Sequence, residues 1–225
     1  MKKRIRIQGA LMFLVVIVSI FFTRFIIPYW RKDPFDEFFD AAGIVMILFG
    51  FLSRIAARGY KEEKTNGGKN LVKDGPYYLM RHPMYFGTLL IGSGIILVLL
   101  EFWTLPVFLI IYLLIYIPQI EKEEKVLLKR FGEEYRTYCK TTSKYFPQFS
   151  LSFKEYVPLK LSWIRKELRS LIIVIAAVLA IEVWKDVRLF GYSEFYKELS
   201  ELSSVIIVFC AIIFLFIRKL NRLPR

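Results

Sequence analysis

The sequence contains little cysteine and little histidine. Among 225 residues there are two cysteines, Cys139 and Cys210, and a single histidine, His82. Cys139 lies in a polar segment and Cys210 in an apolar one, so no disulfide is expected, and neither cysteine has the spacing of a metal-ligand pair. The glycine motif G-x-G-x-x-G of soluble dinucleotide-binding domains is also absent. We therefore expect no disulfide framework, no metal site and no Rossmann domain.

Long apolar segments dominate the chain, in which 56% of the residues are hydrophobic. They form six blocks, at residues 7–27, 38–57, 84–100, 102–120, 168–184 and 202–217. A membrane-spanning helix needs about 20 apolar residues. The first block is longer than the apolar core of a signal peptide, about 7–15 residues, and is expected to be retained. The pattern predicts an all-α polytopic membrane helix bundle with about six spans.

The net charge of +13 has a topological explanation. If the amino terminus lies in the cytoplasm and every block crosses the membrane, 27 of the 33 lysines and arginines fall on the cytoplasmic side. The positive-inside rule favours this orientation, with both termini in the cytoplasm. Because topology accounts for the charge, no nucleic-acid partner is expected.

The polar segment at residues 61–85 is rich in glycine, proline and tyrosine. Residues 65–70 are predicted to form a turn, and residues 71–78 an irregular loop with a second turn at Gly75-Pro76. Pro83 suits the first turn of the third span. Arg81 and His82 would then lie at a helix amino terminus, which attracts anions. A single histidine at a membrane interface often makes only local hydrogen bonds. Here the neighbouring Arg81, Pro83 and Tyr85 favour a ligand-binding role for His82.

The third and fourth blocks are separated only by the residues around Glu101, so they must form a tight helical hairpin. The two open ends of a hairpin lie on the same side of the membrane. Arg81, His82 and Tyr85 should therefore face residues 119–124, although far from them in sequence. The geometry predicts a cytoplasmic pocket lined by both signs of charge.

An amphipathic helix is predicted to follow the fourth block. Apolar side chains recur there at steps of three or four, at Val126, Leu127, Phe131, Tyr135 and Tyr138. Gly132 is expected to weaken this helix or to bend it. The acidic residues before it, Glu121, Glu123 and Glu124, are either a solvated charge run or one wall of the pocket.

Two stretches of this region resemble the isoprenylcysteine carboxyl methyltransferase family and its phospholipid methyltransferase relatives. The first fits the pattern G-P-Y-x-x-x-R-H-P-x-Y-x-G and the second the pattern E-E-x-x-L-x-x-x-F-G-x-x-Y-x-x-Y, followed by Pro147. All fixed positions are present and in register. The resemblance covers residues 69–147, about a third of the chain.

The resemblance implies a membrane enzyme that binds S-adenosylmethionine and methylates a lipid-like or prenylated acceptor. Carried over by position, it assigns the cofactor to Lys69, Asn70, Leu71, Val72, Tyr77, His82, Pro83, Met84, Tyr85 and Glu123. It assigns catalysis and substrate binding to Glu123, Gln119 and Arg81. Glu62 aligns weakly with a further cofactor contact.

One departure from the family bears on the acceptor. The eukaryotic isoprenylcysteine enzymes have an arginine where this chain has Gln119, and the late basic residue of the tail motif is Lys144. A prenylcysteine carboxylate would lose a bidentate partner at Gln119. The cofactor site is unaffected by this change.

The sequence thus predicts a methyltransferase core at residues 1–160 and an additional pair of transmembrane helices at residues 161–225. Carboxyl O-methylation of an isoprenylcysteine-type substrate is the first expectation, and N-methylation of phospholipid ethanolamine the second. A nicotinamide-dependent membrane reductase of the sterol type and a non-enzymatic membrane protein are the alternatives of other classes. The oligomeric state is left open.

Overall fold

The computed structural model describes residues 34–99, 103–148, 160, 162–164, 167, 170–178, 196, 200, 203–204, 207–208 and 211. In the two long ranges the ordered secondary structure is entirely helical. Four helices follow one another there: α1 (Pro34–Lys64), α2 (Pro76–Leu79), α3 (Pro83–Leu99) and α4 (Thr104–Thr141). The expectation of an all-α fold is confirmed for this part of the chain.

Two of these helices are long and apolar enough to cross a membrane. They are Phe38–Lys64 within α1 and Thr104–Thr141, while α3 is a shorter apolar helix. Length and composition therefore support a membrane helical protein. The first predicted span, residues 7–27, lies outside the described residues. The last two predicted spans, residues 168–184 and 202–217, are described only in part. The six-span arrangement stays a prediction.

Helices α1 and α3 cross at unusually short range through paired glycines. A Cβ atom on Gly50 would lie 2.6 Å from the carbonyl oxygen of Gly87, and one on Gly43 would lie 2.7 Å from that of Gly94. No larger residue fits at such a crossing, which is the small-residue packing typical of membrane helices. The crossing also lets Ser53 donate a hydrogen bond of 3.0 Å to the carbonyl of Pro83, so α1 supports the first turn of α3.

The bounds of α3 and α4 agree with the predicted helical hairpin. Helix α3 ends at Leu99 and α4 begins at Thr104, and residues 100–102 lie outside the described part. Along the hairpin Tyr112 donates a hydrogen bond of 2.7 Å to the carbonyl of Tyr85, and the rings of Tyr85 and Tyr116 meet edge to face with centroids 5.4 Å apart. These contacts fix the register in which the start of α3 meets the apolar half of α4.

Helix α4 continues far beyond its apolar half. It runs through the predicted amphipathic segment to Thr141, and only Gly132 interrupts it, with φ 51° and ψ −123°. These angles are strongly unfavourable for residues with a side chain. The interruption turns residues 133–141 so that Tyr135 and Tyr138 are buried. Both the amphipathic helix and the bend at Gly132 agree with the sequence-based expectation.

The loop before α3 is more ordered than the sequence predicts. Residues 65–70 form the expected turn, in which the amides of Gly68 and Asn70 both donate to the carbonyl of Thr65. Residues 71–78 were expected to form an irregular loop, but Pro76–Leu79 form the short helix α2. Pro76 provides its first residue, because proline has the backbone angle of a first helical turn and no amide hydrogen to satisfy.

A segment near residue 165 packs against the second half of α1. The carboxylate of Glu167 is almost fully buried and binds Arg54 at 3.1 Å and Arg58 at 2.8 Å. Trp163 fills the space beside Gly59, and its indole nitrogen donates to Glu63 at 2.7 Å. Trp163 and Glu167, which lie beyond the predicted core, are therefore bound to α1 by ion pairs, a hydrogen bond and close packing.

Candidate active site at the open end of the hairpin

The carboxylate of Glu124 on α4 is the centre of a charged cluster. Its Oε1 lies 2.7 Å from Nη1 of Arg81 and 3.2 Å from Nε2 of His82, and its Oε2 lies 3.1 Å from Nζ of Lys144. These four side chains come from the two residues just before α3, from α4 and from the segment after α4. Two permanent cations surround one carboxylate, so the cluster keeps an excess of positive charge.

His82 is neutral in this cluster near pH 7. Burial lowers the pKa of His82 below its usual value, although the hydrogen bond with Glu124 opposes that shift. A neutral imidazole with its proton on Nε2 donates that proton to the carboxylate, and this tautomer follows from the contact geometry. Burial is the largest single influence on Lys144 and lowers its pKa, but the hydrogen bonds and charge interactions with Glu124 and Tyr145 together outweigh burial and raise the pKa of Lys144.

Glu123, the residue next to Glu124, has a different partner. Its Oε1 accepts a hydrogen bond of 2.8 Å from the hydroxyl of Tyr85. The Tyr85 ring is buried between His82, at a centroid distance of 5.9 Å, and Tyr116, at 5.4 Å. The sequence predicted that His82 and Glu123 belong to one cofactor site. In the structure His82 contacts Glu124, whereas Glu123 accepts a hydrogen bond from Tyr85.

The segment after the bend at Gly132 holds the loop from the opposite side. Tyr138 donates a hydrogen bond of 2.5 Å to the carbonyl of Tyr77. Beyond α4 the chain returns along the loop, where the amide of Arg81 donates to the carbonyl of Ser143 at 2.9 Å and the amide of Gln148 donates to that of Leu79 at 2.9 Å. The loop before α3 is therefore held in place by hydrogen bonds with Tyr138, near the end of α4, and with Ser143 and Gln148, after the end of α4.

A cavity lies between this loop and α4. Of the twelve residues predicted for the site, ten line the cavity: Asn70, Leu71, Val72, Tyr77, Arg81, His82, Pro83, Met84, Tyr85 and Glu123. The residues of two separate sequence motifs thus share one concave surface. Glu62 is on the surface of α1 and binds Arg58 at 3.3 Å.

Two predicted residues, Lys69 and Gln119, do not line the cavity. Lys69 is exposed in the turn at residues 65–70, and Gln119 is half-buried one helical turn before Glu123. The sequence also missed eight residues of the cavity wall, which are Lys61, Thr65, Gly68, Leu127, Arg130, Phe131, Tyr135 and Tyr138. Four of these, Leu127, Phe131, Tyr135 and Tyr138, follow Glu123 at steps of three or four residues, and that periodicity is the signal that could have identified them.

Acidic, histidine and cysteine side chains do not gather into a metal-type cluster in the part of the chain that the structure describes. Within it, no group of three or more of these residues is arranged to hold a metal ion. Cys139 is a free thiol, and its Sγ lies 2.9 Å from Nη1 of Arg81.

Comparison with known proteins gives one family and one relative. A family described as a protein of unknown function (DUF1295) matches residues 3–142. The nickel-cobalt-cadmium resistance protein NccN of Alcaligenes xylosoxydans xylosoxydans is 28% identical over 140 residues, which are 60% of this chain. The chain spans 63% of the length of that relative. No solved structure matches.

Proposed function

The chain belongs to the DUF1295 family, whose function is unknown, and we propose that it is an integral membrane methyltransferase that uses S-adenosylmethionine. The observation that carries the proposal is the cavity itself. The cavity combines Tyr85 of the first motif with Glu123 of the second, which are joined by a hydrogen bond of 2.8 Å. Arg81 and His82 line the same cavity. Such convergence of acidic, basic and aromatic groups suits a ligand that carries both signs of charge.

The donor set fits S-adenosylmethionine in three respects. The cofactor has an ammonium and a carboxylate, and the cavity offers Glu123 for the first and the cation of Arg81 for the second. Tyr77 and Tyr85 are among the residues that line the cavity, and a cation held against an aromatic ring gains about 0.5–2 kcal/mol. When bound, the cofactor supplies the methyl group of its sulfonium for transfer.

The residues of the site would act mainly by alignment. A carboxylate acceptor is already nucleophilic and needs no general base, so holding the two reactants in line is the principal requirement. Alignment of this kind contributes about 7–11 kcal/mol to lowering the barrier. An amine acceptor would first lose a proton, and Glu123 is the carboxylate of the cavity wall that would take it.

A lipid-like acceptor is proposed because the apolar half of α4 leads directly to the cavity. Its outer face exposes large apolar side chains, among them Ile110 and Leu114, which suit contact with acyl or prenyl chains. The cofactor would enter from the cytoplasm and the acceptor from the bilayer. A prenylcysteine carboxylate is the first candidate. An ethanolamine phospholipid is the second, and Gln119 is the residue that favours it, because a neutral amide provides no positive charge for a carboxylate.

A nicotinamide-dependent reductase is the second candidate function. Lys61 and Arg130 both line the cavity, and two cations at one cavity wall suit the phosphates of a dinucleotide. The two candidates differ in the ligand that the purified protein binds, so a binding measurement separates them.

The test is calorimetric titration of the purified protein with S-adenosylhomocysteine and, separately, with NADPH. We expect S-adenosylhomocysteine to bind and Glu123→Gln to weaken its binding at least about tenfold, because a charge-assisted hydrogen bond is lost. Glu133→Gln is the matched control, since Glu133 is on the same helix with its side chain 82% exposed and pairs only with Arg136 in the described part. Binding of NADPH without S-adenosylhomocysteine would refute the methyltransferase proposal.

The acceptor requires a second experiment. The protein would be incubated with S-adenosylmethionine that carries a labelled methyl group and with a panel of prenylcysteines, phosphatidylethanolamine and small thiols. Base-labile label on the prenylcysteines would support carboxyl methylation. Label on the amine lipid alone would replace that reading with N-methylation.

A further inference from the structure

Two buried donor atoms in the cavity wall have no hydrogen-bond partner among the described residues. They are Nε of Arg81 and the hydroxyl of Tyr135. Both residues line the cavity, and Tyr135 is only 2% exposed. Burying a donor without a partner is destabilising, and native proteins rarely keep such groups unless a ligand or water satisfies them.

The rest of the Arg81 side chain is already committed. Its Nη1 contacts Glu124 at 2.7 Å and Cys139 at 2.9 Å, and its backbone amide is bound to Ser143. These contacts hold the guanidinium in one orientation. Nε is therefore a fixed donor that contributes nothing to that framework.

Tyr135 is equally fixed, because the bend at Gly132 and the hydrogen bond of Tyr138 to Tyr77 hold its stretch of helix against the loop. The side chains of Arg81 and Tyr135 lie next to each other and interact, and Tyr135 also interacts with Cys139. Neither Nε of Arg81 nor the hydroxyl of Tyr135, however, has a partner at the distance and angle of a well-formed hydrogen bond. Two neighbouring donors, one on a permanent cation, are a natural site for one oxygen atom of an anion.

We propose that Nε of Arg81 and the hydroxyl of Tyr135 together bind a carboxylate oxygen of the cofactor's amino-acid group. The inference rests on the proposed function and deepens it, because it assigns a binding role to Tyr135. The excess positive charge around Glu124 supports an incoming carboxylate. Tyr135 is then a residue that recognises the amino-acid part of the cofactor and not its adenosine part.

The test compares two ligands that differ in that group. The dissociation constants of S-adenosylhomocysteine and of 5′-methylthioadenosine, which lacks the amino-acid group, would be measured for the wild type and for Tyr135→Phe. We expect the substitution to weaken the binding of S-adenosylhomocysteine by about tenfold or more and to leave the binding of methylthioadenosine unchanged. Equal losses for both ligands, or no loss for either, would overturn the assignment.

Two controls keep the outcome interpretable. Tyr135→Phe removes an unpartnered hydroxyl, so the unfolding midpoint of the ligand-free protein should stay the same or rise, and a lower midpoint counts against the proposal. Tyr138→Phe removes the hydrogen bond to the carbonyl of Tyr77, which is structural, and should weaken the binding of both ligands by the same factor. If the wild type binds neither ligand, the proposed function itself fails; if it binds both and Tyr135→Phe does not discriminate between them, only this inference fails.

Discussion

The hydroxyl of Tyr85 and the carboxylate of Glu123 form a hydrogen bond of 2.8 Å between residues 38 positions apart. Tyr85 is on the first turn of α3 and Glu123 lies beyond the apolar half of α4, so the contact exists only because the two helices form a hairpin. One position further on, Glu124 binds Arg81 and His82. Adjacent glutamates thus serve different partners, and this division leads to separate predictions for each.

Glu124→Gln is expected to destabilise the protein. The substitution leaves Arg81 and Lys144 without their carboxylate in a largely buried setting, for which we expect a loss of about 2 kcal/mol or more in the free energy of unfolding. Denaturant unfolding in detergent micelles measures this loss. Glu133→Gln should change the same quantity by about 0.5 kcal/mol or less, because an exposed ion pair contributes little. Equal effects of the two substitutions would show that the cluster has no structural weight.

The stability should fall in mild acid because of His82. The folded state lowers the pKa of His82 from its usual 6.5, so the unfolded chain takes up a proton before the folded protein does. Stability from this residue is full above about pH 6.5 and decreases as the pH falls toward the lowered pKa. The measurement is the unfolding midpoint of wild type and of His82→Gln between about pH 7.5 and pH 5.5. The wild type should lose more stability than the variant; parallel curves would contradict the prediction.

Gly132→Ala should disturb the site without touching it. The backbone angles at this position, φ 51° and ψ −123°, cost a residue with a side chain about 1–3 kcal/mol. Relief of that strain would straighten α4 and break the bond of Tyr138 to Tyr77. We expect faster amide hydrogen exchange in α2, measured by mass spectrometry. Lys129→Ala, on the same helix, should leave the exchange unchanged, because alanine is favoured in a helix interior.

Glu167→Gln tests the attachment of the later chain to α1. Glu167 lies beyond the region that the family match covers, which ends at residue 142. Loss of its charge leaves the buried Arg54 without its carboxylate and Arg58 with only the exposed Glu62, for which we expect a loss of about 3 kcal/mol in the free energy of unfolding. Glu62→Gln removes an exposed partner of Arg58 and should cost about 0.5 kcal/mol or less. Limited proteolysis near residue 160 provides a second measurement, since detachment of this segment would accelerate cleavage.

Local patterns were sufficient for the framework of the site. Pro83 has no amide hydrogen and a restricted φ angle, and α3 begins at that residue. The scarcity of residues between the third and fourth apolar blocks predicted the hairpin, because two helices joined by so short a turn can only be antiparallel. Gly132 predicted the bend in α4. These features depend on neighbouring residues alone, so they can be derived from sequence.

The partners within the site could not be derived in this way. Glu123 and Glu124 are identical in chemistry, and neighbouring residues of a helix point about 100° apart, so the rotation of α4 against α3 decides which of them meets the cations. The same rotation leaves Gln119 outside the cavity, whereas Lys69 is outside because it is exposed in the turn at residues 65–70. The bend at Gly132 brings in Tyr135, which sequence spacing marked only as part of an apolar face.

The sequence by itself determined that helices form, where α3 begins and α4 bends, and that the motifs near Arg81 and Glu123 lie at the same end of a hairpin. Those properties follow from backbone preferences and from chain length. Only the tertiary structure decided that Glu124 holds Arg81, His82 and Lys144 and that Tyr85 holds Glu123. The physical reason is that the glycine contacts between α1 and α3, the Tyr112 contact between α3 and α4, and the return of the chain after Gly132 together set the rotation of α4. No single segment contains that information.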